Sequence, residues 1–443
     1  MVQGNAKALL PILVFVVLYL GLGVLLEYGL HVEMGFYTIP VLFVFLIALA
    51  LAFKQTEGTD YNGKFSIMAR GAGDPNVFMM ILIFLTAGIF TGVMNRAGAE
   101  SVANFVLTII PADFAVIVIF LVAAFVSLSM GTSCGTIAVL TPIAVSIAET
   151  TDFGIPLCVA SVIGGAMFGD NLSFISDTTI AACNGQGCGM KDKFRENFKI
   201  ALPAAIATVI ILFLLTISAS GTSSEVGPYD LILVIPYLVV LIGGIIGINV
   251  FIVLAAGIVT GVIVMVGTGT TEVIDIFPAI GSGMAGMLET AMVAMLVSAI
   301  CALIAHNGGF EALLAWIKRA FKGKKGGMIG TGLLVSAMDV ATANNTVAIV
   351  MANPIAKDIS KEYGLSPRRT ASILDTFACV MQGIIPYGAQ MLLALSGVAA
   401  AGYAVSAFQI IPFLIYQFML LISMLVFIFF FSDRKRPAEV AAE

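Results

Sequence analysis

Apolar residues run on along most of this 443-residue chain for about 20 positions at a time. They lack the polar positions that helical or strand period interleaves in a soluble domain. About 20 apolar residues cross a bilayer as a helix. The pattern predicts ten full crossings, at roughly 8–26, 36–53, 76–95, 156–183, 197–219, 229–246, 248–267, 288–306, 368–395 and 404–431. Two regions, 113–150 and 328–360, read differently. Each has an apolar arm, a polar break of small residues and a shorter arm containing proline; the breaks are "MGTSCGT" (130–136) and "DVATANNT" (339–346). Irregular backbone at membrane depth is tolerated where protein buries it or a wet cavity adjoins it. Both regions are therefore expected to be re-entrant hairpins with polar tips.

The positive-inside rule tests this count. With Lys7 inside and each hairpin returning to its own side, the cytoplasmic segments are the N-terminus, 54–75, 184–196, a turn near 247, 307–327, 357–367 and the C-terminal tail. Lys and Arg fall in or beside these segments, Arg96 excepted. "EYGLHVEM", "AETTDFG" and "GTGTTEVIDIF", placed outside, have none. Both termini are expected in the cytoplasm. The first apolar run is too long for a signal peptide, lacks an A-x-A cleavage pattern and is followed at once by a second span.

The chain also resembles itself at an offset of about 211 residues. "NRAGAE" (95–100) aligns with "HNGGFE" (306–311), "TPIA" (141–144) with "NPIA" (353–356), and "FGIPLCVASVI" with "YGLSPRRTASIL". The expected halves are 1–220, with hairpin 113–150 and broken helix 156–183, and 221–443, with hairpin 328–360 and broken helix 368–395. Five crossings plus a hairpin per half turn the second half upside down. The loop after the first hairpin is bare of bases, whereas its counterpart carries Lys357, Lys361, Arg368 and Arg369. Inverted repeats with broken helices meeting at the midplane are the signature of secondary transporters.

Composition agrees. The chain is 60% hydrophobic and 11% charged, with a mean hydropathy of +1.08; soluble domains are about a quarter charged. This is the profile of an all-α polytopic membrane protein in a lipid bilayer. The net charge of −5 and the lack of a basic patch outside membrane-flanking loops give no sign of a nucleic-acid partner. The six cysteines read mostly as small buried hydrophobes, and no second ligand pair completes a metal site around Cys183 and Cys188.

The chemistry concentrates in "GAMFGDNLSFISDTTIAA" (165–182). Asp170 and Asp177, seven residues apart, would share one face of an unbroken helix. An ionised Asp at a helix centre costs about 2.5–3.5 kcal/mol, and no Lys or Arg is expected inside the spans to pair with it. A bound cation, a proton or hydrated access must offset that cost. Sodium takes oxygen ligands, which Asp170, Asn171, Ser173, Ser176, Asp177 and Thr178 supply, together with Ser133 and Thr136 of the first tip. Tight packing explains the small residues alone; two acids without a base argue for function. The second half offers a set for a substrate or second cation: Asp339, Asn344, Asn345, Thr346, Asp375, Gln382, Tyr387 and Gln390. Asp339 reads equally as a ligand, a helix cap or a solvated loop charge.

"GDNLSFISDTT", preceded by "GTSCGT", resembles the NhaC family of sodium/proton antiporters. The resemblance implies sodium-coupled secondary transport, with Asp170 and Asp177 as carriers of Na+ or H+ and no cofactor. Relatives in that family include exchangers of organic acids and carriers of amino acids, so the cargo is expected to be a small ion or an organic solute. The expectations are thus Na+/H+ antiport, or Na+-coupled movement of an amino acid or small carboxylate, in a bacterial inner membrane, by a chain compatible with a homodimer. An intramembrane aspartyl protease needs acids converging from two helices and a G-x-G-D pattern; here both acids lie on one segment, which reads Met167-Phe168-Gly169-Asp170. A passive channel stays open as an alternative, and a turnover-limited, saturable flux excludes it.

Overall fold

The computed structural model describes residues 4–32, 38–151, 153–174, 176–219 and 227–431. Every regular element among them is a helix. In chain order these are α1 (Leu10–Val24), α2 (Val41–Gln55), α3 (Tyr61–Ala72), α4 (Pro75–Ile109), α5 (Ala112–Met130), α6 (Ser133–Thr150) and α7 (Ile155–Leu172). Then follow α8 (Asp177–Gln186), α9 (Met190–Ala219), α10 (Leu231–Ile246), α11 (Val250–Gly267), α12 (Val273–Gly286), α13 (Leu288–His306) and α14 (Gly309–Ala320). The last are α15 (Gly323–Thr342), α16 (Asn345–Tyr363), α17 (Pro367–Ile384), α18 (Ala389–Ala400), α19 (Ala407–Ile410) and α20 (Ile415–Val426), with short 3-10 or π turns at some ends.

The chain is an all-helical membrane protein. Among the described residues, nine stretches are long and apolar enough to cross a membrane, or ten if the pair Ala407–Phe413 and Ile415–Phe430, bent by 52°, counts as one. The expected spans at 36–53 and 229–246 are shorter helices, α2 and α10, of 15 and 16 residues. The span at 288–306 extends back through α12 into a stretch from Val273 to His306. Side chains such as Ile242, Ile252, Val259, Ile263 and Phe277 stand exposed along α10, α11 and α12, the face a bilayer would cover.

The second hairpin arms are not short. α6 has 18 residues against 19 in α5, and α16 has 19 against 20 in α15. At 1.5 Å per residue each is about 27–30 Å long. Pro142 and Pro354 lie inside these helices without ending them, so counting an arm from its proline understates it. The expected division at 220/221, the first three residues, and the tail from 432 onward lie outside the described residues.

The internal likeness has a sharp structural counterpart. α5 ends at Met130 and α15 at Thr342; α6 begins at Ser133 and α16 at Asn345. α7 covers 155–172 and α17 covers 367–384; α8 begins at 177 and α18 at 389. All these boundaries shift by the same 212 residues, one more than the offset read from short matches. In this register Asp170 corresponds to Gln382 and Ser133 to Asn345.

Small residues let the central helices close up. A Cβ on Gly165 would stand 2.2 Å from the Phe120 carbonyl oxygen of α5, and one on Gly169 would stand 2.4 Å from the Leu128 nitrogen. α7 therefore lies directly on the α5 backbone, the close approach that glycine permits.

Candidate functional site

Both hairpin tips are built alike. α5 ends at Gly131 in the left-handed region (φ 70), and Thr132 then turns extended and caps α6, its hydroxyl accepting from the Gly135 N–H. α15 ends at Ala343, also left-handed (φ 50), and Asn344 turns extended and caps α16 by accepting from the Val347 N–H. Thr and Asn are good N-caps because a short side-chain oxygen reaches an unpaired N–H of the first turn. Two further breaks lie nearby: one between α7 and α8, the other between α17 and α18.

The first turns of α6, α8, α16 and α18 meet around a cavity of about 50 Å³. Ser133, Asp170, Ser176, Asp177, Thr178, Asn344, Asn345, Thr346, Gln382 and Gln390 line it, with Thr132, Cys134 and a wall of Met79, Met80 and Ile83. Helix N-termini carry partial positive charge, so four of them favour an anionic group at this point.

Asp170 is that group in the protein itself. It is 4% exposed. Ser133 Oγ donates to its Oδ2 at 2.8 Å, and Ser176 Oγ donates to Oδ1. Ser176 in turn shares a hydroxyl contact of 2.8 Å with Thr178. On the other side, Gln390 Nε2 donates to Ser133 Oγ at 3.0 Å, and Gln382 Nε2 donates to Gln390 Oε1 at 2.6 Å and to the Ala343 carbonyl at 2.9 Å. One chain of hydrogen bonds thus runs from the second broken helix to Asp170. The partners of this carboxylate are neutral hydroxyls, with other acids as its charged neighbours.

Asp177 is exposed, at the open side of the cavity. It does not share a helix face with Asp170. The helix stops at Leu172 and restarts at Asp177, with Ser173 and Ser176 as extended cap residues. The two acids come from separate helices and differ in depth.

Other candidates lie elsewhere. Thr136 donates to the Thr132 carbonyl and Ser173 to the Leu128 carbonyl, so both hydroxyls serve the backbone. Tyr387 donates to the Val340 carbonyl at 2.7 Å and packs edge-on against Phe15. Asp339 is fully buried in α15, away from the cavity, and neither carboxyl oxygen meets a donor at hydrogen-bonding geometry. Asn171 and Asp375 belong to a separate cluster.

That cluster corrects an expectation. Lys193, placed in a cytoplasmic loop by the sequence pattern, is fully buried in α9, with its Nζ 2.5 Å from Asp375 Oδ2. It also donates to the Asn171 carbonyl and to Thr179 Oγ1, each at 2.7 Å. Asn171 and Asn197 both donate to Asp375 Oδ2 at 3.1 Å. Near Lys193, the same two helices pair in the opposite sense: Arg369 of α17 reaches Glu196 of α9 at 3.0 Å. A basic residue is therefore available inside the protein, and it is matched to Asp375. Lys193, Thr179 and Asn197 were missed because "KDKFRENFK" looks like a solvated loop. The i, i+4 spacing of Lys193 and Asn197 was the signal that one helical face carries both.

No group of three or more His, Cys, Asp or Glu fit to hold a metal ion occurs among the described residues. Asp170 with Ser133 and Ser176 is instead an oxygen set of the kind alkali and alkaline-earth cations prefer. Sodium fits this donor chemistry.

The sequence profile of the Na+/H+ antiporter family matches residues 5–217 and 228–430. An uncharacterized protein of Haemophilus influenzae is 34% identical over 113 residues, covering 25% of this chain and 22% of that one. An uncharacterized Na+/H+ antiporter of the same organism is 22% identical over 364 residues, covering 73% of this chain and 78% of its own. The malate-2H+/Na+-lactate antiporter of Bacillus subtilis is 24% identical over 203 residues, covering 46% and 43% respectively. The chain thus spans less than two thirds of the first and third of these relatives.

Proposed function

The chain belongs to the Na+/H+ antiporter family, and from that premise we propose that it exchanges sodium for protons at Asp170, in the manner of NhaC-type antiporters. The observation that carries this reading is a deeply buried carboxylate held by two hydroxyls and opening on a cavity framed by broken helices. A carboxylate inside a membrane needs a compensating positive charge. Either Na+ or H+ supplies it, and the two exclude each other at one site. Competition for the site, joined to alternating exposure of the cavity, gives exchange. Asp177, at the open side, offers a first stop for the incoming cation.

The 212-residue recurrence of helix ends supports two repeated halves, 1–220 and 221–443; an odd number of crossings in each would invert one against the other, and the halves rock about this cavity. The charge distribution supports termini in the cytoplasm, and the bacterial sources of the similar proteins support a bacterial inner membrane. Only one half carries an acid at the matched position, since Gln382 stands where Asp170 has its counterpart. One mobile cation per cycle follows.

A second reading has its own support. Four helix N-termini and the amides of Asn344, Asn345, Gln382 and Gln390 exceed what a bare cation needs, and one relative is named a malate-2H+/Na+-lactate antiporter. In that reading Na+ at Asp170 accompanies a small organic carboxylate. Proteoliposomes loaded with a pH dye separate the two. Sodium added outside acid-loaded vesicles without solute leaves the lumenal pH as in buffer controls if solute is obligatory. It alkalinises the lumen by proton efflux if simple antiport operates, and the response is then unchanged by a panel of carboxylates. A flux that needs a carboxylate overturns the first reading.

A further inference from the structure

The Lys193 ammonium is surrounded by oxygens from three other helices. Its three N–H donors meet a carboxylate oxygen of Asp375 at 2.5 Å, a backbone carbonyl of Asn171 at 2.7 Å and the Thr179 hydroxyl at 2.7 Å. Carboxylate, carbonyl and hydroxyl oxygens are the ligand types that hard cations take. Asn171 lies in the last turn of α7, where a helix leaves carbonyls without partners and carries partial negative charge. The oxygens come from α7, α8 and α17, and the cation is tethered on α9. Asn171 is the residue after Asp170, so this position adjoins the cavity site.

We propose that Lys193 is a built-in cation occupying a second, oxygen-lined cation position, and that it thereby limits the protein to one mobile cation, at Asp170. This rests on the assignment of Asp170 as the sodium site. Asp375 is neutralised in place by a charge that cannot leave. The two asparagine donors on its Oδ2 hold the carboxylate in position without supplying charge. Lys193→Ala removes the ammonium and its four-carbon stem, and leaves Asp375, Thr179 and the Asn171 carbonyl facing the vacated space. Sodium then fills it.

The test is the number of sodium ions bound at saturation by purified full-length protein, counted with radioactive sodium by equilibrium dialysis. Expected are one for the wild type, two for Lys193→Ala, and one again for Lys193→Ala/Asp375→Asn, in which neither charge remains. Wild type binding one and Lys193→Ala still binding one overturns the inference. So does a Lys193→Ala protein that unfolds whether or not sodium is present while the double variant folds, because the pair is then structural alone. A Lys193→Ala protein recovered only in sodium supports it. Failure of the underlying assignment looks different: Asp170→Asn then binds as many sodium ions as the wild type.

Discussion

Gly169→Ala couples packing to the site in one substitution. A methyl there would stand 2.4 Å from the Leu128 nitrogen, 2.5 Å from the Ala124 carbonyl oxygen and 2.6 Å from Ser127 Cβ. Non-bonded atoms of this kind settle at about 3.5–4.0 Å. Two of the three obstacles are α5 backbone and do not swing aside, so α7 must retreat by roughly 1 Å. Overpacking of this sort costs about 1–3 kcal/mol. Asp170 is the next residue and moves with it. Its 2.8 Å bond from Ser133 and the 2.8 Å bond from Ser173 to Leu128 both lengthen past the roughly 3.5 Å at which a hydrogen bond is lost. Thermal unfolding in detergent, with and without sodium, reads both effects. Gly187→Ala is the control: its φ of +74 also disfavours a side chain, but nothing lies within 4 Å. That strain costs about 1–2 kcal/mol and leaves Asp170 in place. Gly169→Ala should lose stability and most of its sodium response, and Gly187→Ala should lose stability alone. A Gly169→Ala protein that responds to sodium as Gly187→Ala does would refute the claim that α5–α7 contact sets the site.

Two shorter predictions follow from the same geometry. Ala343→Gly relieves a left-handed strain of about 1–2 kcal/mol, but gives up a buried methyl worth about 0.8 kcal/mol and about 0.5–1 kcal/mol of backbone entropy. The sum is near zero, so its melting curve should overlay the wild type's, whereas β-branched Ala343→Val should be clearly destabilised. Sodium affinity at Asp170 requires the carboxylate, and a bound proton removes the negative charge that the ion needs. The apparent dissociation constant measured by sodium titration at stepped pH should therefore rise about tenfold per unit as pH falls below the site's own pKa, and Asp177→Asn should keep this slope.

Much of the architecture was legible because lipid imposes a strong constraint on backbone hydrogen bonding. Apolar runs gave the membrane class, and the small polar tips "GTSCGT" and "ANNT" marked two of the chain breaks that surround the cavity. The rest depends on local backbone geometry that a residue count does not carry. Ser173 and Ser176 were read as ligands between two acids on one helix. Both are cap residues of the break that separates those acids; Ser176 keeps its hydroxyl on Asp170, whereas Ser173 turns its hydroxyl to the Leu128 carbonyl. Thr136 turns its hydroxyl proton to the carbonyl four residues back, as a helical Thr readily does, and does not line the cavity. Lys193 was hidden by its neighbours: Lys191, Asp192, Arg195 and Lys199 make the segment look solvated, and the one buried lysine among them is distinguishable only once α9 is seen to start at Met190 and turn that face inward. Asp375 then ceased to be a free acid.

Calorimetric sodium titration of purified protein, repeated in buffers of different ionisation enthalpy, counts the protons released as each sodium ion binds. If Na+ and H+ compete for the Asp170 carboxylate, the wild type releases a proton per sodium bound when titrated at a pH below that group's pKa, and Asp170→Asn neither binds sodium nor releases protons. Sodium binding to Asp170→Asn with an undiminished proton release would contradict the account.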